Sequence, residues 1–122
     1  MTSEQKSNCN RIIHAAAVSA AAVGGGMAQL PGADVPVIIG IEISMTISLG
    51  AVFGISLNES SAKSIVVATI GTIAGRGISQ ALVGWIPGLG NLVNAGTAFG
   101  VVEALGWAIA NDFSNKDNRE RY

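Results

Sequence analysis

The segment Leu30-Pro31-Gly32-Ala33-Asp34-Val35-Pro36, with its counterpart Trp85-Ile86-Pro87-Gly88-Leu89-Gly90-Asn91, decides how this chain folds. Proline pushes the residue before it out of the α region and glycine permits a sharp turn, so each Pro-Gly pair predicts a hinge. The sequence on both sides of each hinge is apolar and rich in Gly and Ala. Working outward predicts four helical stretches, at about 12–29, 35–53, 57–85 and 92–113. The expected fold is all-α: two helical hairpins, each folded at a Pro-Gly hinge. Residues 12–113 form the helical domain, between a polar N-terminal tail at 1–11 and a polar, fraying C-terminal tail at 114–122. The runs 35–43 and 65–73 are β-branched, but they lack strict alternation and outlast a usual strand.

Helix ends are marked. Asp34 is the expected N-cap of the second stretch, with Pro36 tolerated in its first turn. Gly54 is the expected C′ residue closing it. Ser56 and Glu59 have capping-box spacing and predict the start of the third stretch. Asn91 is the expected N-cap of the fourth.

Composition sets the environment. Of 122 residues, 49% are apolar and only 12% charged, against about 25% in an ordinary soluble domain. Mean hydropathy is +0.48. Net charge is −1, so no basic field invites nucleic acid. The single Cys9 excludes an internal disulfide and a multi-cysteine zinc site. Glu4 and the Ala/Gly-rich run that follows fit a cleaved signal peptide poorly.

Small residues recur every fourth position on each stretch: Ala16, Ala20, Gly24 and Ala28; Thr46, Gly50 and Gly54; Gly71, Gly75 and Ser79; Gly96, Gly100, Ala104 and Ala108. Each row is a smooth face on which another backbone can pack closely, in lipid above all. A homo-oligomer is therefore expected. The last three stretches reach the about 20 residues that a membrane span needs. In a four-span topology Lys6, Arg11, Lys63, Lys116, Arg119 and Arg121 fall on one side and the hinges on the other. That is the positive-inside arrangement, with both termini cytoplasmic. The alternatives are hairpins lying at the interface and a cytoplasmic assembly that binds lipid.

The charges placed deep in these stretches are Glu42, Arg76 and Glu103. Isolated charges are costly in lipid or core, so Arg76 is expected to pair with one or both carboxylates. The pair would fix helix register, or the three would line a polar path in an oligomeric pore. His14, near the expected start of the first helix, reads as a capping or interfacial residue. No Walker A, HExxH, GxSxG or CxxC motif occurs. Neither an enzyme nor a cofactor or metal site is expected.

The residues Ala28–Pro36, then Phe53-Gly54-Ile55-Ser56-Leu57, then Trp85–Asn91, resemble the YcjF-type domain found in bacterial inner-membrane proteins and beside Era-like GTPases. Pro31, Gly32, Asp34, Gly54, Pro87, Gly88 and Gly90 match its pattern, and the resemblance covers about 12–113. It implies a helical, membrane-associated module that works with a GTPase, here supplied in trans because the chain has no GTPase domain. It implies no catalytic residue.

Overall fold

The computed structural model describes residues 1–26, 34–75 and 95–121, with side chains placed over 1–23, 37–72 and 99–118. These residues form four helices and no strand. Helix α1 spans Ser3–Gly26, starting well before the expected Ile12. Its start is a capping box: Gln5 N–H donates to Thr2 Oγ1 at 3.1 Å, and Thr2 N–H donates to Gln5 Oε1 at 2.9 Å. Two otherwise orphaned amides are satisfied reciprocally. The N-terminal segment is therefore helical, and its Cys9 is fully buried.

Helix α2 spans Asp34–Val52, beginning within one residue of the expected start. Gly54 closes it at φ +73°, in the C′ role expected for it. Ile55 N–H donates to the Gly50 carbonyl at 2.8 Å and Gly54 N–H to the Ala51 carbonyl at 3.2 Å. This pair of bonds is a Schellman motif, and its left-handed residue is cheap only for glycine. Helix α3 spans Glu59–Gly75. Its N-cap is Asn58, whose Oδ1 accepts the Ser61 N–H at 2.7 Å, and not Ser56 as expected. Glu59 becomes the first helical residue and no capping box forms there. The reason lies upstream. Leu57 is folded back over Gly50, so close that a Cβ at Gly50 would meet Leu57 Cδ1 at 2.9 Å. The chain is free to turn helical only after that contact, and Asn caps as well as Ser.

Helix α4 spans Ala95–Arg121. It continues through the polar residues expected to fray, with Phe113 and Ser114 buried and Lys116 reaching Asp112 one turn back at 3.5 Å. The expected end falls too early because it follows the loss of apolar residues, and the helix outlasts them. The hinge residues Pro31, Gly32, Pro87 and Gly88, the cap Asn91, and Arg76 lie outside the described residues.

Helix α1 packs most extensively on α4 and then on α2; α3 packs on α2 and α4. Helices α2 and α4 thus form the centre, with α1 and α3 on either side. Among the described glycines, Gly106 of α4 is the most closely approached. A Cβ there would lie 2.7 Å from Ile13 Cγ1 and 3.0 Å from Met45 Sδ. Phe53 and Phe113 meet edge-on at 6.5 Å. These contacts make α4 parallel to α2. The pairing of His14 with Glu103 at 3.4 Å makes α1 antiparallel to both. The core joins Cys9, Ile13, Ala17 and Ala20 of α1 to Ile38, Met45 and Leu49 of α2, Val66 of α3, and Val102, Leu105, Ile109 and Phe113 of α4.

Candidate functional site

Helix direction sorts the charges. The start of α1, the α2–α3 connection and the end of α4 lie at one end of the bundle. That end carries Glu4, Lys6, Arg11, Glu59, Lys63, Asp112, Lys116 and Asp117. Among described side chains, the remaining body of the bundle holds only three ionisable groups: His14, Glu42 and Glu103. Its exterior is instead built of Ala, Gly, Ser, Thr and Val. Val18, Val37 and Val67 are 49%, 44% and 60% exposed. The surface hydroxyls turn inward on their own helices. Ser19, Ser64 and Thr72 donate to the carbonyls of Ala15, Ser60 and Ala68, which lowers their demand for water.

Between α1 and α2 runs an open groove of about 570 Å³ whose lining carries no charge. Gly40, Ser44 and Ser48 form its α2 wall, and Ile12, Ala15 and Ser19 its α1 wall. This small-residue row was not among those the sequence singled out. The signal was present as Gly40-x3-Ser44-x3-Ser48, but Ser was not read as a packing residue there.

The expected rows divide. Ala16 and Ala20 of α1, and Thr46 and Gly50 of α2, are buried. Gly71 of α3 and Gly100 of α4 are exposed, with open space where a Cβ would stand, and Ala104 is exposed as well. Gly71, Gly100 and Ala104 therefore do not pack within the chain, whereas Ala108 of the same α4 row is partly buried against the core. The bulky residues of α4, Val101, Val102, Leu105, Ile109 and Phe113, take the core side and turn the small row outward. Gly24, Gly75 and Gly96 are helical, and what surrounds them lies outside the described residues.

Of the three deep charges Arg76 lies outside the described residues, and Glu42 and Glu103 are set differently. Glu103 is a quarter exposed and faces His14 Nδ1 across the α1–α4 seam. His14 also stands edge-on to Phe99, at 5.7 Å between ring centroids. It is mid-helix and exposed, not at a helix start, because α1 begins at Ser3. Glu42 is fully buried, and neither carboxylate oxygen has a hydrogen-bond partner. Burial pushes its pKa from 4.5 to about 8. Burial also raises the Cys9 thiol. Among the described residues no group of three or more His, Cys, Asp or Glu is placed to hold a metal ion. Also among them, no helix is long and apolar enough to cross a membrane.

No protein-family model, curated protein or solved structure matches the chain.

Proposed function

We propose that this protein is a non-enzymatic scaffold that associates with a lipid membrane and self-associates through the small-residue faces left open on its helices. The observation that carries this reading is the body of the bundle, whose exterior offers His14 and Glu103 as its ionisable groups among the described side chains. A soluble small domain normally covers about a quarter or more of its surface with charge. An exterior of Ala, Gly, Val and internally bonded hydroxyls instead suits lipid or another copy of itself. Since no described helix is long and apolar enough to cross a membrane, the bundle seats its body at the membrane interface and keeps its charged end in water. The membrane concerned is the bacterial inner membrane, with the charged end cytoplasmic, as the resemblance to the YcjF-type domain and the one-sided Lys and Arg suggest. The same resemblance supports a GTPase partner acting in trans.

The pore reading gains no lining from this arrangement, because Glu42 is sealed in the core and Glu103 is engaged by His14. The test is flotation with vesicles of anionic phospholipid, joined to sedimentation in detergent. The protein is expected to float and to sediment as an oligomer. Gly100→Leu combined with Ala104→Leu, on an open face, is expected to lower the oligomer order while leaving helicity unchanged. A monomer that stays at the bottom of the gradient contradicts the proposal.

A further inference from the structure

Glu42 is placed as charged side chains rarely are. It has no exposed surface, and both carboxylate oxygens lack a hydrogen-bond partner. It stands on α2, one of the two helices that pack against all three others, on a face it shares with Ile38, Met45 and Leu49. The hydroxyl one turn away is already spent, since Thr46 Oγ1 donates to the Glu42 backbone carbonyl at 2.8 Å. A bare carboxylate in such a site has lost its water and gained nothing in return, whereas a protonated carboxyl loses far less.

We propose that Glu42 is an internal proton-binding site: the helices close around α2 with a proton on this carboxyl, so that folding takes up one proton from water and opening returns it. Among the described side chains, the ionisable groups of the neighbouring helices leave it alone. On α1, Cys9 shares the core as a neutral thiol and His14 faces outward to Glu103 of α4. On α3, Glu59 and Lys63 are exposed. The remaining charges of α1 and α4 sit at the charged end. Burial is the cause of the raised Glu42 pKa.

The sign follows from the two states. In the unfolded chain Glu42 ionises near 4.5, and in the bundle near 8. Below the lower value both states hold the proton and the bundle is at full stability. Between the two values only the folded state holds it, so stability falls as pH rises. Above the upper value the loss is complete and levels off.

The test is urea unfolding of the full chain by far-UV circular dichroism between about pH 5 and pH 9, for wild type and Glu42→Gln. The wild-type unfolding constant is expected to rise about tenfold per pH unit from about pH 5 to pH 8 relative to the variant. Parallel profiles for the two proteins overturn the proposal. A second readout needs no variant. Infrared spectroscopy of the folded wild type at neutral pH is expected to show the carbonyl band of a protonated carboxylic acid, fading as pH passes about 8. A folded wild type without that band overturns the proposal even if Glu42→Gln does not fold.

Discussion

In α2 the small residues at four-residue spacing, Thr46 and Gly50, face the core; in α4 the corresponding residues, Gly100 and Ala104, face outward. The two rows look alike in sequence and do different work. What separates them is the company each keeps. Helix α2 has Ile38, Met45 and Leu49 on the same side as its row, so that side is drawn inward. Helix α4 has Val102, Leu105, Ile109 and Phe113 on the side away from its row, so the row is turned out. The glycine that α4 does pack, Gly106, heads a second four-residue row with Ala110 and Ser114, and that row is buried. Spacing marks a smooth face, then, and the large residues decide which way it points.

Three substitutions break or sharpen this contrast. The largest effect is expected from Gly106→Val, which drives methyl groups into Ile13 and Met45, whose side chains already crowd that glycine. A loss of about 3 kcal/mol in unfolding free energy, read by urea titration, is expected for such overpacking. Gly50→Ala is expected to cost about 2 kcal/mol. Its new Cβ would stand 2.8 Å from the Ile55 carbonyl oxygen, a backbone atom of the closing turn that cannot rotate aside. Gly100→Ala is expected to have the opposite sign, gaining about 0.5–1 kcal/mol from helix propensity alone, because nothing lies within 4 Å of the added methyl. A destabilised Gly100→Ala monomer would show that α4 presents this row to the core after all.

The helical class was legible because apolar Gly/Ala-rich stretches leave no room for alternation. The close of α2 was legible because a glycine after an apolar helix is a strong stop. Helix lengths were not, because apolar content stood in for helicity. Thr2 and Gln5 announce the start of α1 in polar sequence, and Asp112 with Lys116 supports α4 beyond its apolar part. The deep setting of Glu42 was legible from the apolar stretch around it. Its lack of a hydrogen-bond partner was not, nor was the pairing of Glu103 with His14. Both depend on how the helices are set against one another, and no local pattern encodes that. Asn58 displaced Ser56 as cap for a similar reason: the contact of Leu57 with Gly50 reaches across the turn.

Cys9 is the only thiol of the chain and is wholly enclosed between α1 and its neighbours. A thiol reagent therefore has one place to react and no route to it while the helices stay together. At high reagent concentration the rate of labelling becomes the rate at which the bundle opens, and at low concentration it reports the fraction open. The unaltered protein carries its own clock for breathing, readable in lipid, in detergent or in water alike.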